Sequence, residues 1–513
     1  MTLDSSRVKL SAVCGFAVAG IFIAALGQYA LGETKQTAAQ WPIITRTGDA
    51  LFEGDRPFRF LGLDAPDLLM NESQIRPDRT NRFPDEFEIR DALDGLRRVG
   101  ARATRTFTLS VFSSDDKGIP VHITGRRIYN EDAFRAMDLV LALAHEYDIR
   151  LIIPLIASQT FERIRGIDEF SALAGRPGGD FFTDEVVKSD YRDLVQTVLN
   201  RRNTVSGILY KDDPAVLAWQ FGNEFNVYAP DRKLDPAQLT RRITPWMLEM
   251  AAYIKSIDRH HLVMDAGGAD RAALLADPNI DMISEHLYEY WNRLTGGPAE
   301  LAPLAAAARQ QCKGRKVLIV DEFGLGATEN LRSLMREIVD DGISGGLMWS
   351  IRSHRRDGGW YYHNEGGTLV NSFHVPGFAD GTSFEETRVL DLLRREAFRI
   401  RMVSPTPLSV PSPPPVLIRL EGGFTWRGSA GASSYTLERA DKPEGPWSTL
   451  AEGVQDSVVA DVANFEGTPR ASLPFVLYWD ESAQPQTRYF YRLKAVNPAG
   501  DSGYSNILTV DSR

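Results

Sequence analysis

Short apolar runs rich in β-branched residues alternate with longer amphipathic stretches from about residue 42 to residue 402. Eight such runs can be counted: 58–63, 103–109, 150–156, 216–221, 262–266, 282–287, 317–321 and 346–351. The amphipathic stretches include 84–99, 131–147, 191–202, 236–257, 301–311 and 331–340, and Asn130 is a suitable N-cap for the second of them. Strands that alternate with helices form a parallel sheet. Eight such units over about 350 residues predict an α/β fold, a (β/α)8 barrel with insertions.

An open, doubly wound sheet is the alternative arrangement of the same strands and helices. That fold requires a glycine-rich phosphate-binding turn after an early strand. The segment after the first apolar run reads Gly62-Leu63-Asp64-Ala65-Pro66 and lacks such a turn. The barrel is therefore favoured, and in a barrel the functional side chains lie at the carboxyl ends of the strands.

Two glutamates occupy such positions. Glu224 comes just after the run 216–221, and Glu322 comes directly after the run 317–321. A carboxylate at the end of a buried strand is costly to desolvate unless it lines a site. Two of them at one end of a barrel are what cleavage of a glycosidic bond requires, one as a proton donor and one as a nucleophile or base. Taken singly, either glutamate is more often a helix cap or an exposed loop charge.

Further polar and aromatic residues are predicted at the same end of the barrel. They are Arg105 in strand 2, Asn223 beside Glu224, His286 and Tyr288 at the end of strand 6, Trp349 at strand 8 and Trp360 in the loop that follows. Each has a structural alternative. Arg105 could form a core ion pair, His286 could be a rim histidine, Trp349 could pack in the core, and Trp360 could belong to a folded aromatic loop.

Most of residues 55–400 resemble glycoside hydrolase family 5. The resemblance is carried by a block from Val198 to Thr204 and from Tyr210 to Pro214, then by Trp219, Asn223-Glu224, His286-x-Tyr288 and Glu322-Phe323-Gly324 in that order. The block is similar to the approach to the acid/base strand in endo-β-1,4-mannanases of that family. The resemblance implies a barrel glycosidase that acts with retention of configuration.

The resemblance also implies a role for each carboxylate. Glu224 would be the general acid/base, and Glu322 would be the nucleophile. Arg105 and Tyr288 would keep Glu322 ionised and oriented.

The neighbouring residues would contact the sugar. Asn223 would hydrogen-bond the 2-hydroxyl, His286 would support the acid/base or the sugar, and Trp349 would stack on the ring. Trp360 would contribute to a sugar-binding wall. No cofactor is implied, and no group of residues has the spacing of metal ligands.

Three departures from the mannanase pattern bear on the substrate. Residues 156–160 read Ile-Ala-Ser-Gln-Thr where those enzymes carry an Asn-Asn-Trp-like block, Asp64 stands where Asn is common, and Phe221-Gly222 replaces the usual residues before Asn-Glu. The first expectation is β-1,4-mannan or glucomannan, and another β-glucan or a β-glycoside oligosaccharide is the second. The remaining alternatives are a transglycosylase with the same pair and a non-catalytic carbohydrate-binding or adhesion protein.

The composition changes after residue 402. Residues 403–415 contain Ser-Pro-Thr-Pro and Pro-Ser-Pro-Pro-Pro, which predict a stiff, extended linker. Short alternating strands follow over 416–513 and predict a small β-sandwich. The stretch 491–500, followed by Tyr504-Ser505-Asn506, resembles the last two strands of a fibronectin type III domain.

The amino-terminal segment 1–33 predicts export. Arg7 and Lys9 precede an apolar run from about Leu10 to Leu31, which indicates a signal peptide or an uncleaved membrane anchor. We therefore expect an extracellular or periplasmic enzyme that acts on a polysaccharide or oligosaccharide. A formal net charge of −10 without a long basic run argues against nucleic acid as a partner.

Overall fold

The computed structural model describes residues 41–71, 82–115, 118–159, 165–227, 235–365, 369–370, 373–377, 385–421, 423–456 and 476–511. The predicted leader, residues 1–33, lies outside this part of the chain. Within these ranges, every helix is too short or too polar to cross a bilayer.

The strands and helices are named in chain order. The strands are β1 (Ile44–Thr47), β2 (Ala50–Glu53), β3 (Arg56–Phe58), β4 (Phe60–Leu63), β5 (Ala103–Arg105), β6 (Ile123–Gly125), β7 (Ile128–Tyr129), β8 (Arg150–Pro154), β9 (Val216–Gln220), β10 (Leu262–Met264), β11 (Met282–Tyr288), β12 (Val317–Gly324), β13 (Gly345–Met348), β14 (Asn364–Glu365), β15 (Leu369–Val370), β16 (Val416–Leu420), β17 (Gly423–Arg427), β18 (Ser434–Ala440), β19 (Ser448–Val454), β20 (Arg488–Asn497), β21 (Gly500–Asp501) and β22 (Leu508–Asp511). The α-helices are α1 (Glu86–Arg98), α2 (Glu131–Tyr147), α3 (Ile167–Leu173), α4 (Glu185–Leu199), α5 (Pro236–Ile257), α6 (Arg271–Ala276), α7 (Glu289–Leu294), α8 (Leu301–Cys312), α9 (Thr328–Asp340) and α10 (Glu386–Ile400).

Eight parallel strands form one sheet in the order β4-β13-β12-β11-β10-β9-β8-β5. Its two end strands also meet, because the amide of Ala65 donates to the carbonyl of Arg105 at 2.9 Å and the hydroxyl of Thr104 donates to the carbonyl of Leu63 at 2.7 Å. The sheet is therefore nearly closed, with helices between successive strands. This confirms the predicted (β/α)8 barrel, and each of the eight apolar runs overlaps one of its strands.

A small antiparallel sheet of β1, β2 and β3 precedes the barrel and was not predicted. Its buried side chains Ile44, Leu51 and Phe58 belong to the same apolar cluster as Phe60 and Met282 of barrel strands. Phe60 and Met282 are the first residues of β4 and β11, so this sheet caps the amino-terminal end of the barrel interior. Its strands are only 3 or 4 residues long, which leaves too little alternation to recognise in the sequence.

The helix boundaries follow their capping residues. The predicted cap of α2 is confirmed, since the Asn130 side chain accepts a hydrogen bond from the amide of Asp132 at 3.1 Å. The stretch predicted at 191–202 begins earlier, at Glu185 in α4. The reason is Asp184, whose carboxylate accepts from the amides of Val186 and Val187 at 2.8 and 3.2 Å. Helix α10, which packs beside β4, was not among the predicted helices.

The strands after residue 415 are antiparallel. β16 pairs with β17, β18 lies between β19 and β20, and β22 also pairs with β20. Their inward side chains form a separate apolar cluster that includes Trp426, Tyr435, Leu437, Tyr491 and Leu493. The sequence prediction of short alternating strands in this region therefore agrees with the described residues.

The C-terminal strands contact the barrel through a buried histidine. His354, which follows β13, lies 2.8 Å from an oxygen of Asp91 in α1 through Nδ1 and 2.9 Å from Asp456, after β19, through Nε2. The indole N–H of Trp360 donates to the other Asp456 oxygen at 2.9 Å, and the hydroxyl of Tyr435 donates to Asp456 at 2.6 Å. Burial lowers the pKa of His354, but the carboxylates of Asp91 and Asp456 outweigh it and raise this pKa to about 9.

The charged His354 should make the stability of the protein depend on pH. A raised histidine pKa stabilises the fold fully below about pH 6.5, and this contribution is lost as the pH rises through about 9. Between pH 6 and pH 10, we expect the free energy of unfolding to fall by about 3 kcal/mol more in the wild type than in His354→Gln. Denaturant titrations at both pH values measure this.

The exposed His260 supplies the matched control, since His260→Gln should follow the wild type at both pH values. Equal pH dependence of His354→Gln and the wild type would show that His354 is not the charged link between Asp91 and Asp456.

Candidate active site

Two carboxylates and a histidine meet at the carboxyl ends of the barrel strands. A carboxylate oxygen of Glu224, a ring nitrogen of His286 and a carboxylate oxygen of Glu322 all lie within 4.8 Å of one another. Glu224 follows β9, and Glu322 lies in β12. The structure thus joins residues that are 62 and 36 positions apart in the sequence into one cluster (286 − 224 and 322 − 286).

A bulge in β12 turns two consecutive carboxylates toward the barrel interior. The prediction ended this strand at Asp321, but β12 continues to Gly324. Its pairing with β13 slips between Val320 and Phe323, so that Asp321 and Glu322 together occupy the space of one partner residue. Both side chains are buried. Without the bulge, the alternation of a strand would point one of them away from the site.

Arg105 connects the strands beneath the carboxylates. Its side chain is fully buried, and each of its three nitrogens donates to a different partner. Nη1 donates to Glu322 at 2.7 Å, Nη2 to the side-chain oxygen of Asn223 at 2.6 Å, and Nε to the side-chain oxygen of Gln220 at 2.7 Å. The planar guanidinium therefore fixes the orientation of Glu322 relative to the segment that carries Glu224.

The second oxygen of Glu322 faces Tyr288. The tyrosine hydroxyl, at the end of β11, donates to it at 2.7 Å. His286 Nδ1 is 3.3 Å from the same oxygen. Burial raises the pKa of the Glu322 carboxyl, and the positive charges of His286 and Arg105 act against this increase. These donors favour the ionised form of a carboxylate that has little access to water.

Glu224 is held in an uncommon backbone conformation. Its φ is +52°, in the left-handed region that costs a non-glycine residue about 1 kcal/mol or more. The hydroxyl of Ser158 donates to its carbonyl at 2.6 Å, and the side-chain amide of Gln159 donates to its carboxylate. Gly222 permits this turn, since a Cβ there would lie 2.1 Å from the carbonyl oxygen of Ile156.

His286 lies between the carboxylates of Glu224, Glu322 and Asp321. Nδ1 lies 2.9 Å from Glu224, and Nε2 lies 3.4 Å from Asp321. Burial lowers the pKa of His286, but Glu322 and Asp321 raise it well above its usual range. The imidazole is therefore a cation with both nitrogens available as donors, and it can donate to Glu224.

The two predicted tryptophans occupy different places. Trp349 follows β13, is buried, and makes an edge contact with Phe107 at a centroid distance of 5.7 Å. Trp360 donates to Asp456 and stacks on His354 at a centroid distance of 3.4 Å. The structure thus places Trp360 at the contact with the C-terminal strands. This position favours the alternative of a folded aromatic loop over that of a sugar-binding wall.

Three residues of the cluster were not identified from the sequence as site residues. Gln220 and Asp321 are polar residues in otherwise apolar strands, and this is a signal that could have revealed them. Gln220 donates to Asp321 at 2.9 Å and accepts from Arg105. Gln159 gives no such signal, because it lies after a strand in a segment that departs from the mannanase pattern.

Part of the chain matches a known protein family. Residues 152–295 match the model of the GH family 5 beta-mannosidase-like family. The matched segment contains β9, Asn223-Glu224, His286 and Tyr288, and it ends before Glu322.

Curated relatives carry one name in common. Mannan endo-1,4-beta-mannosidase 1 of Oryza sativa subsp. japonica is 33% identical over 230 residues, which cover 38% of this chain and 51% of that protein. Mannan endo-1,4-beta-mannosidase 7 of Arabidopsis thaliana is 33% identical over 228 residues, which cover 39% of this chain and 49% of that protein. The chain therefore spans about half the length of these two relatives.

Two solved structures are similar in fold. A Glycoside Hydrolase Family 5 Mannosidase from Rhizomucor miehei has a TM-score of 0.53 at 17% identity, and the match covers 71% of this chain and 99% of that one. An endo-beta-1,4-mannanase from Thermotoga petrophila has a TM-score of 0.50 at 17% identity, with 90% of this chain and 99% of that one covered. At this identity the likeness supports the barrel fold alone.

Removal of the Arg105 charge should destabilise the protein. Arg105→Gln removes the cation that donates directly to one oxygen of buried Glu322, and breaking such a buried ion pair typically costs about 3–5 kcal/mol. We expect the free energy of unfolding in urea to fall by that amount. Arg259→Gln, at an exposed position, is the control and should behave as the wild type. A decrease below about 1 kcal/mol would contradict the role assigned to Arg105.

Proposed function

We propose that this protein is a retaining glycosidase that hydrolyses β-1,4-linked mannan or glucomannan. The observation that carries the proposal is the approach of Glu224 and Glu322, whose nearest oxygens lie within 4.8 Å at the carboxyl ends of the barrel strands. Retaining glycosidases place their carboxyl groups about 5–5.5 Å apart, whereas inverting enzymes leave about 6.5–9.5 Å for a water molecule. The short separation favours a direct attack by one carboxylate on the sugar.

Glu322 is the nucleophile in this proposal. It attacks the anomeric carbon as the bond to the leaving oxygen breaks, and a covalent glycosyl-enzyme forms. Its two oxygens receive hydrogen bonds from Arg105 and Tyr288, which keep it ionised and leave it only one productive orientation. This preorganisation lowers the cost of bringing the carboxylate to the sugar.

Glu224 is the acid in the first step and the base in the second. It protonates the leaving glycosidic oxygen, and it later removes a proton from the water that hydrolyses the glycosyl-enzyme. The cationic His286 donates to one of its oxygens, and Gln159 donates to the other. Both contacts restrict the orientation of the Glu224 carboxyl group.

The sugar itself is proposed to contact Asn223 and Trp349. The Asn223 side-chain oxygen accepts from Arg105, so its amide group is oriented and can donate to the 2-hydroxyl. Trp349 offers a ring face on which a pyranose can stack. The name mannan endo-1,4-beta-mannosidase, shared by the curated relatives, is what favours mannan over other β-glycans.

The remaining assignments concern the domains. The proposed catalytic domain spans residues 42–402, residues 403–415 form the linker, and 416–513 form a fibronectin type III-like domain. The described C-terminal strands are antiparallel, as that domain type requires. The segment 1–33 is proposed to direct export to an extracellular or periplasmic location, where polysaccharide substrates are found.

The proposal predicts activity that depends on both glutamates. Wild-type protein should release reducing sugar from mannan and glucomannan, and Glu322→Gln should lower kcat at least 10⁴-fold, because no nucleophile remains. Reducing-sugar release would be measured in parallel on mannan, glucomannan, carboxymethyl-cellulose, mixed-linkage glucan and xylan. Glu329→Gln, on the exposed surface of α9, is the matched control.

The outcomes of this panel are distinct. Activity on another glucan that vanishes in Glu322→Gln would keep the mechanism and replace the substrate. Activity that survives in Glu322→Gln would overturn the assignment of the nucleophile. In Glu322→Ala, added azide should restore part of the turnover, because the small anion fits the space of the missing carboxylate.

Removal of Glu224 should separate the two steps of the reaction. Glu224→Ala should lose most activity on mannan, whose leaving group needs a proton, but should retain formation of the glycosyl-enzyme with a dinitrophenyl β-mannoside, whose leaving group does not. A burst of released phenol measures this. Equal losses on the two substrates would contradict the acid/base assignment.

A further inference from the structure

Asp64 is a carboxyl group in the barrel interior that the proposed mechanism does not use. It follows β4, whose residues alternate between Phe60 in the interior cluster and Leu61 in the outer one. By this alternation Asp64 points inward. Its amide donates to the carbonyl of Met348 at 2.9 Å, and its carbonyl accepts from the amide of Ile351 at 2.8 Å. These bonds place Asp64 beside the start of the segment that carries Trp349.

The Asp64 side chain is buried without a hydrogen-bond partner. Its exposed fraction is 0%. Neither carboxyl oxygen has a partner among the described residues. A buried carboxylate with neither a hydrogen bond nor a direct ion pair is strongly unfavourable, whereas a protonated carboxyl group is tolerated much better.

The neighbouring carboxylates are supplied with donors. Glu322 accepts from Arg105 and Tyr288. Asp321 accepts from Gln220 at 2.9 Å and from the hydroxyl of Ser284 at 2.6 Å. All three nitrogens of Arg105 are directed to other partners. Among the three inner carboxyl groups, Asp64 is therefore the least favourable place for a negative charge.

The charges of Arg105, His286, Asp321 and Glu322 balance one another without Asp64. Arg105 and the protonated His286 supply two positive charges, and Asp321 and Glu322 supply two negative ones. An ionised Asp64 would add an unbalanced negative charge close to Glu322. Its repulsion would favour protonation of the nucleophile.

We propose that Asp64 carries the proton of the inner carboxyl cluster and is a positioning residue that leaves Glu322 ionised. This inference rests on the proposed role of Glu322 as nucleophile and extends it. Asp64, Asp321 and Glu322 together hold one proton. It resides on Asp64, because this carboxyl group receives no hydrogen bond. Glu322 then reaches its ionised form at a lower pH than it would beside an ionised Asp64.

The electrostatics of Asp64 agree with this distribution. Burial raises the pKa of Asp64 well above 3.8, and the negative charges of Glu322 and Asp321 raise it further, while Arg105 and His286 oppose the increase. A raised carboxyl pKa means that folding takes up a proton above about pH 4. The resulting penalty grows as the pH rises toward the pKa of the folded state and is absent at lower pH.

Asp64→Asn tests the proposal, because the amide has the same shape and is neutral at every pH. In the full-length protein, we expect Tm to exceed that of the wild type by roughly 2–4 °C at pH 8, and this difference to disappear near pH 4. We also expect the acid limb of the kcat/KM profile on mannan to stay within about 0.3 pH of the wild type, because a neutral group replaces a neutral group.

The matched control is Asp321→Asn, which changes the neighbouring inner carboxylate. Asp321 is ionised and accepts several hydrogen bonds, and His286 is the principal cause that lowers its pKa against burial. This variant should therefore lose stability at pH 8, with the opposite sign to Asp64→Asn. Asp64→Ser carries the same two expectations as Asp64→Asn if the amide does not fit.

Each outcome decides the question. A Tm at pH 8 that is equal to or below the wild-type value would overturn the proposal, because Asp64 would then be ionised in the folded protein. A shift of the acid limb to lower pH by about one unit would overturn it as well, since it would reveal a negative charge at Asp64 beside Glu322. If the wild type does not cleave mannan, the proposed function fails, and the Tm comparison still decides where the proton resides.

Discussion

The site depends on one buried guanidinium. Arg105 reaches Gln220, Asn223 and Glu322 with three hydrogen bonds of 2.6–2.7 Å, and it thereby joins residues from β5, β9 and β12. A buried charge of this kind is stable only because carboxylates and side-chain amides surround it. Since the fork of donors is planar and rigid, the position of Glu322 is fixed relative to the segment that ends in Glu224. The separation of the two glutamates, on which the proposed reaction depends, follows from this arrangement.

The backbone is irregular at two places that carry this polar cluster. The bulge in β12 turns both Asp321 and Glu322 inward, and Glu224 adopts a left-handed conformation. The hydrogen bonds of the cluster compensate the burial of its charges. The bulge and the left-handed residue nevertheless depart from the regular geometry of a barrel. Departures of this kind are expected where function, and not stability, selects the residue. The apolar layers near the amino-terminal end of the strands, closed by β1–β3, supply the stability that the polar layer does not.

The fold was largely predictable from the sequence. The eight apolar runs predicted the barrel because each run is long enough to be distinguished from the amphipathic helices between them. The two glutamates were found because both follow apolar runs at the same end of the predicted barrel, and because their neighbours occur in the order of the family motifs. The bulge was not predictable, because a polar residue such as Asp321 in an apolar run does not reveal a change of register with the neighbouring strand. Trp360 was placed near the sugar on its chain position alone, and the structure places it against Asp456, which is 96 residues away.

The sequence by itself determined the order of the eight barrel strands, their parallel sheet and the end of the barrel at which Glu224 and Glu322 lie. These properties follow from local periodicity, which each segment carries independently of the others. Only the tertiary structure decided which groups share hydrogen bonds and protons. His286 is charged and Asp64 lacks donors because of residues from other strands, and His354 is charged because Asp91 and Asp456 approach it from two sides. The protonation state of a buried group depends on distances of a few ångströms between segments that are far apart in the chain, and such distances exist only after folding.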